Sequence, residues 1–101
     1  MTDLGTPSEN LCTARGVEID NVSKEICVNS RDTCEVYIKK GKLNGVEVQS
    51  GDDYCNAIGL SCLQLFDDKD SCRRKTKYND CSETGGSTSD HIVRCGKLGT
   101  T

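Results

Sequence analysis

The chain has 101 residues, with eight cysteines, one phenylalanine, three tyrosines, no tryptophan and a formal net charge of −3. So short a chain with so few aromatic side chains cannot build a large apolar core, and cross-links are the expected source of stability. The small, mixed charge favours neither nucleic acid nor a membrane surface as a partner, and no segment is apolar over a length that would span a bilayer.

The N-terminal third of the chain carries little periodicity. Residues 1–11 are polar and include glycine and proline, which predicts a flexible leader. A single disulfide-bonded domain is expected over residues 12–95, followed by a loose tail over residues 96–101. Within the first part of the domain, only residues 16–19 suggest a short strand.

A β-hairpin is predicted in the middle of the chain. Apolar and polar side chains alternate over residues 34–39 and again over residues 46–49. Asn44-Gly45 stands between them, and this dipeptide favours a tight hairpin turn. We therefore expect the two runs to pair as antiparallel strands.

One short helix is predicted after the hairpin, over residues 53–58. Ser50 is a good N-cap residue, and the acidic side chains of Asp52 and Asp53 favour the start of a helix. Gly59 suits the left-handed conformation that ends many helices.

The C-terminal half is expected to add two strands. Residues 60–66 form the most apolar stretch and predict a buried central strand, which a polar turn over residues 67–70 would end. Residues 82–90 indicate a loop, and residues 91–95 a short final strand. The fold class is thus a small disulfide-rich α+β domain, a short antiparallel sheet with one short helix. Its small core would comprise Ile38, Val48, Ile58, Leu63, Leu65 and Phe66.

The cysteines favour disulfides over a metal centre or a redox site. No two of them show the close Cys-x2-4-Cys spacing of zinc ligands or the Cys-x-x-Cys of thiol oxidoreductases. We expect no metal and no cofactor. Eight cysteines allow 105 pairings, and weak local arguments select Cys12–Cys27, Cys34–Cys95, Cys55–Cys81 and Cys62–Cys72.

Disulfides in a small domain indicate an oxidising compartment, and we expect the protein to be secreted or extracellular. The first twenty residues lack the apolar run of a signal peptide. Our hypothesis is that Met1 is an expression start before a mature domain, or that a leader has been removed. A monomer is expected.

Two basic clusters are the strongest local chemical feature. One comprises Arg73, Arg74, Lys75 and Lys77, and the other Lys39, Lys40 and Lys42. Either could contact sulfated glycan or anionic lipid headgroups. If both lie on the same face, their seven cations would attract sulfated or carboxylated glycan, and all seven are the predicted ligand-binding residues. The simpler interpretation is that each is a solvated basic segment that keeps the domain soluble.

Catalysis is not expected. His91 is the single histidine, and its sequence neighbours Asp90 and Ser89 do not establish a triad. A surface or strand-edge position is the simpler interpretation of this histidine. Asp67, Asp68 and Asp70 could ligate calcium in a turn, but they lack the loop pattern of an EF-hand, and a solvated acidic turn is preferred.

Residues 53–72 carry a helix with Cys55, a glycine turn, Cys62 at the start of a strand, and Cys72 beyond a polar turn. This run resembles the central part of PAN or apple-type modules over about a fifth of the chain. It departs from that family in having one helical cysteine rather than a close pair, and Cys12 and Cys27 do not align. The resemblance implies an extracellular module that binds proteins or carbohydrates without catalysis.

We therefore expect a secreted, non-catalytic binding module for carbohydrate or protein ligands. The alternative is a secreted toxin or effector, for example an inhibitor, that acts on a host receptor, channel or protease. Small cross-linked scaffolds serve both uses, so the fold class alone does not separate them.

Overall fold

The computed structural model describes residues 10–84 and 90–97. It confirms a small disulfide-rich α+β domain, with a second, one-turn helix in addition to the predicted one. In chain order the elements are α1 (Leu11–Ala14), β1 (Ser23–Asn29), β2 (Thr33–Lys39), β3 (Gly41–Leu43), β4 (Val46–Val48), α2 (Gly51–Ala57), β5 (Ser61–Asp70), β6 (Arg73–Lys77) and β7 (Asp90–Gly96).

Five strands form one antiparallel sheet in the order β1-β2-β7-β5-β6. The last strand of the chain is therefore inserted at the centre, between β2 and β5. The predicted strand over residues 60–66 is confirmed as an interior strand, but β7 is the central one. His91 lies in β7 and is fully buried, so its expected position at the surface or a strand edge is wrong.

The predicted tight turn forms, but it joins a different pair of strands from the pair expected. Asn44 and Gly45 have φ angles of 53° and 82°, which confirms the tight turn. This turn joins β4 to β3, while β2 pairs with β1 and β7. Lys40 separates β2 from β3, so the chain leaves the main sheet before it turns and builds a separate two-stranded ribbon.

Two further local predictions are wrong. Residues 16–19 form no strand; Gly16 has a φ of 71° and the chain there is irregular. Residues 67–70 do not form a turn but continue β5, where Asp67, Asp68 and Asp70 pair with residues of the basic strand β6. Opposite charges on neighbouring strands favour this pairing, and the turn comes later, at Ser71, which has a φ of 49°.

Helix α2 begins as the sequence predicts, although two residues earlier than expected. The Ser50 hydroxyl accepts a hydrogen bond from the Asp53 amide at 3.2 Å, and the Asp53 carboxylate accepts one from the Ser50 amide at 3.2 Å. This reciprocal capping box satisfies donors that the first turn of a helix leaves free. Gly59, with a φ of 79°, follows the end of the helix as expected.

Both helices lie on one face of the sheet, and the main core lies beneath them. A Cβ atom on Gly51 would come within 3.2 Å of Leu65 and Val93, so α2 packs directly on β5 and β7. Four of the predicted core residues are buried, namely Ile38, Val48, Leu65 and Phe66. The other two predicted core residues are not fully buried, since Ile58 is partly buried and Leu63 is 49% exposed.

The exposed position of Leu63 has a local cause. The pairing of β5 with β7 shifts register between Cys62 and Gln64, so Leu63 occupies an irregularity in the strand. Its side chain lies against Gly96 rather than in the core, since a Cβ there would come 2.7 Å from Leu63 Cδ1.

All eight cysteines form disulfides, but each of the four predicted pairs is wrong. The pairs are Cys12–Cys34, Cys27–Cys72, Cys55–Cys95 and Cys62–Cys81. Cys34 and Cys95 do lie opposite each other on β2 and β7, as the predicted pair required. Each instead forms a disulfide with a helix that covers this face of the sheet: Cys34 with Cys12 of α1, and Cys95 with Cys55 of α2. These two bonds hold both helices on the sheet.

The ends of the domain differ slightly from expectation. Leu11, expected in the leader, is buried in α1, and Gly96, expected in the tail, is the last residue of β7. The rest of the leader up to residue 9, the middle of the predicted loop (residues 85–89) and the tail from residue 98 lie outside the described residues.

Candidate functional site

The first predicted basic cluster forms the edge strand β6, which belongs to a hairpin folded over the second face of the sheet. Cys72, at the turn between β5 and β6, is bonded to Cys27 on β1, the opposite edge strand. β2, β7 and β5 lie between β1 and β6, so these two edge strands are four strand spacings apart, about 19 Å at ~4.8 Å each. Two register shifts between Asp67 and Asp70 bend the hairpin, as bulges do, and allow this contact.

Arg74 holds this hairpin down. Its guanidinium makes two hydrogen bonds with the Glu35 carboxylate, of which the one from Nε to Oε2 is 3.2 Å long. Its Cζ atom lies 4.1 Å from the centre of the Phe66 ring, which adds a cation–π contact. Glu35 is only 2% exposed, so the arginine neutralises a buried carboxylate. Arg74 therefore has a structural role, and its predicted role in ligand binding stays a prediction.

The other cations of β6 remain at the surface. Arg73, Lys75 and Lys77 are all exposed, as is the whole strand, and in the described part of the chain β6 pairs only with β5. Lysine on an edge strand also discourages pairing with a second sheet, so this composition has a structural explanation as well as a functional one.

The second basic cluster occupies different elements. Lys39 ends β2, Lys40 follows it and is half-buried, and Lys42 lies in the separate ribbon strand β3. The register places Lys39 and Lys77 on the same face of the sheet. They are three strands apart, which is about 14 Å at ordinary strand spacing.

Carboxylates interrupt the surface between the two clusters. Asp90, opposite Lys39, accepts a hydrogen bond from the Tyr37 hydroxyl at 2.8 Å. Burial raises the pKa of Asp68, and the nearby charges of Asp90 and Asp67 raise it further. The seven predicted cations are therefore separated by acids on β5 and β7. Within β6, Arg73, Lys75 and Lys77 are exposed, while Arg74 is paired with Glu35.

His91 lies beneath the chain that leads from β6 back towards β7. One ring nitrogen, Nε2, is 3.1 Å from the carbonyl oxygen of Thr84, and the ring of Tyr78 meets the imidazole edge-on at 5.6 Å. Nδ1 is buried without a hydrogen-bond partner in residues 10–84 and 90–97. Burial lowers the pKa of His91, which keeps the ring neutral at neutral pH.

One group of side chains has the spacing of a metal site but not its chemistry. Asp52, Cys62 and Cys81 place ligand-type atoms within 4.8 Å of one another. The two sulfurs are joined in a disulfide, however, and a zinc ligand must be a free thiolate. This group therefore does not form a metal centre while the disulfide is intact.

A cleft of about 160 Å³ opens on the helix side of the molecule. The irregular chain after α1, the ribbon turn and the C-terminal half of α2 form its walls. Arg15, Glu18, Asp20 and Asn44 surround it with polar groups. The Arg15 guanidinium lies against Gly59, where a Cβ atom would come within 3.1 Å of it.

Tyr54 and Ser23 lie deep in this cleft. Both are buried, and their hydroxyls share one hydrogen bond of 2.7 Å. Burial raises the pKa of Tyr54 to about 12, so its hydroxyl keeps its proton. Asp20 stabilises the adjacent turn, because its Oδ1 atom accepts hydrogen bonds from the backbone amides of Val22 and Ser23, at 2.8 and 2.7 Å.

Comparison with known proteins returned no matching family model, curated protein or solved structure. The resemblance to PAN or apple-type modules therefore stays a prediction. Within the described ranges, no helix is long and apolar enough to cross a membrane.

Sequence reasoning found the basic cluster, although not that it forms a strand, and it missed both Glu35 and the cleft. Glu35 occupies a polar position in an alternating strand, which predicts solvent exposure. Only the folded-over hairpin shows that this carboxylate is covered. The cleft residues come from three separate segments and carry no motif.

Proposed function

We propose that this protein is a secreted, non-catalytic binding module that recognises sulfated or carboxylated glycan through strand β6. The observation that carries the proposal is an edge strand exposed along its whole length, in which Arg73, Lys75 and Lys77 are exposed cations. The four disulfides support an extracellular location, since such bonds persist in oxidising compartments.

Rigidity of the strand favours binding over mere solubility. Pairing with β5, the Arg74–Glu35 ion pair and the nearby Cys27–Cys72 disulfide hold the backbone of β6 before any ligand arrives. A preordered surface loses less conformational entropy when it binds. Arg73 would supply the planar fork that matches a sulfate group, and Lys75 and Lys77 would supply charge.

The experiment measures retention on immobilised heparin as salt is raised. A variant with Arg73→Ser, Lys75→Ser and Lys77→Ser removes three exposed charges and leaves Arg74 in place, so the hairpin stays clamped. We expect the wild type to bind at low salt and elute as salt screens the contacts, and the variant to pass through unretained.

The matched control removes three exposed cations elsewhere, by Lys24→Ser, Arg31→Ser and Lys97→Ser. It has the same net charge as the test variant, so specific binding predicts that it is retained almost like wild type. Equal loss in both variants would mean that only net charge matters, and would refute β6 as the site. Absence of wild-type retention would refute the anionic glycan as ligand and favour a protein partner.

A further inference from the structure

We infer that the cleft between the irregular chain after α1, the ribbon turn and α2 binds a single uncharged sugar residue, at a site separate from β6. The inference does not rest on the proposed function, because none of the cleft residues belongs to the basic strand. It follows from the kinds of hydrogen-bonding groups in the cleft, its size and the apolar side chains in its walls.

The polar groups of the cleft include both donors and acceptors. Arg15 offers N–H donors, Glu18 and Asp20 offer carboxylate acceptors, and the Asn44 amide offers both. An anion would meet two carboxylates, and an amine would meet the Arg15 cation and use only the acceptors. A polyhydroxylated ring can use all of them, because each hydroxyl both donates and accepts.

The hydroxyl pair deep in the cleft adds a buried donor. Ser23 and Tyr54 carry two O–H protons but share one hydrogen bond, so one proton has no acceptor among the residues that the structure describes. A buried polar hydrogen without an acceptor costs about 1–3 kcal/mol. A ligand hydroxyl in the cleft would accept it.

Size and shape match a small ligand. A volume of about 160 Å³ is well below that of the clefts that hold drug-sized molecules. Val17, Leu43, Ala57 and Ile58 add an apolar surface, against which the C–H face of a sugar ring can pack.

The walls of the cleft are held in place by the fold. Positive φ angles at Gly16 and Asn44 fix the turns on either side, and the Arg15 guanidinium packs against Gly59. The Cys12–Cys34 and Cys55–Cys95 disulfides anchor both helices that frame the cleft. Little ordering is then required when a ligand binds.

The test is a titration of the ¹⁵N-labelled protein with glucose, mannose, galactose, fucose and N-acetylglucosamine, each at millimolar concentration, followed by amide chemical shifts. We expect at least one sugar to shift the amides of Gly16, Val17, Asn44 and Ile58. Sodium acetate and methylammonium serve as anionic and cationic probes and should leave these amides unchanged.

Three variants sharpen the titration. Glu18→Gln removes an exposed acceptor charge, and Asn44→Gly removes the amide while glycine keeps the positive φ of the turn. Each should weaken sugar affinity about five- to tenfold, because Glu18→Gln replaces a charged acceptor with a neutral one and Asn44→Gly removes a hydrogen-bonding group. Glu25→Gln, an exposed carboxylate on β1 outside the cleft, is the charge-matched control and should bind like wild type.

Four results would overturn the inference. The first is that no sugar of the panel shifts the cleft amides, and the second is that acetate or methylammonium shifts them as strongly as a sugar. The third is unchanged affinity in both Glu18→Gln and Asn44→Gly, and the fourth is equal weakening by Glu25→Gln. Heparin retention of the same variants reports separately on β6, so failure at one site leaves the other result standing.

Discussion

The two faces of the five-stranded sheet are covered in different ways. On one face, α1 and α2 lie over a continuous apolar layer, and the two disulfides that fasten them, Cys12–Cys34 and Cys55–Cys95, are completely buried. On the other face, the folded hairpin is held by an ion pair over Phe66 and by the partly exposed Cys27–Cys72 disulfide.

The layers that cover the two faces of the sheet are therefore stabilised by different interactions. Where helices supply enough apolar surface, burial stabilises the layer and disulfides add to it. Where the basic hairpin covers the sheet, little apolar surface is available. The hairpin is then held mainly by the Cys27–Cys72 disulfide and the Arg74–Glu35 ion pair. The helix-covered face should therefore govern global stability, and the hairpin should open locally once the Cys27–Cys72 disulfide is reduced.

The largest expected effect comes from removing one disulfide on each face. The loops closed by Cys55–Cys95 and Cys27–Cys72 span 40 and 45 residues, so chain entropy alone predicts a loss of about 4 kcal/mol for either. Cys55→Ala/Cys95→Ala also leaves a cavity in the buried layer and should lose about 1–2 kcal/mol more. Urea unfolding of both double variants measures the difference.

Partial reduction provides a second measurement on the same comparison. Mild reductant should first open Cys27–Cys72, while the domain keeps its far-ultraviolet circular dichroism. Equal destabilisation by the two double variants, or reduction of Cys55–Cys95 first, would show that burial does not distinguish the faces.

A smaller effect is expected from Arg74→Ala. The substitution leaves the buried Glu35 carboxylate without its partner and removes the contact with Phe66. Since the arginine side chain is 41% exposed, water can replace part of the interaction, and we expect a loss of about 2 kcal/mol rather than the 3–5 kcal/mol of a fully buried pair.

Lys75→Ala, an exposed cation on the same strand, is the matched control and should change stability by less than about 0.5 kcal/mol. A double-mutant cycle with Glu35→Ala isolates the pair and should give a coupling of about 1–2 kcal/mol. Zero coupling would mean that the hairpin is held by its disulfide alone.

The smallest effect concerns pH. Burial lowers the pKa of His91 in the folded protein, so the fold favours the neutral ring. The stability from this term is complete above the unfolded pKa of about 6.5 and is lost as pH falls below it, by at most about 2 kcal/mol at pH 5. Urea midpoints for wild type and His91→Phe between pH 7.5 and pH 5 test this, and parallel curves would contradict it.

Local sequence signals predicted several elements well. The capping residues Ser50 and Asp53, the stop at Gly59 and the turn at Asn44-Gly45 depend on neighbours within a few positions, and the structure confirms each of them. Pairing over long distances was not predictable in the same way. The insertion of β7 between β2 and β5 brings together segments more than fifty residues apart, and no local pattern encodes that choice.

The candidate sites show the same division. The cations of β6 are visible as a cluster in the sequence, but only the fold shows that Arg74 forms an ion pair with Glu35 while Lys75 and Lys77 stay exposed. The cleft proposed to bind a sugar combines Arg15, Asn44 and Tyr54 from three segments, so it exists only once these have packed together.

The sequence by itself determined that disulfides would stabilise a small α+β domain, because cysteine count, short length and scarce aromatics leave few alternatives. Only the tertiary structure decided which cysteines pair. That choice depends on which side of a strand each sulfur faces and which element lies above it, and one residue of register reverses the side. Cys34 and Cys95 stand opposite each other on neighbouring strands and still bond to different helices.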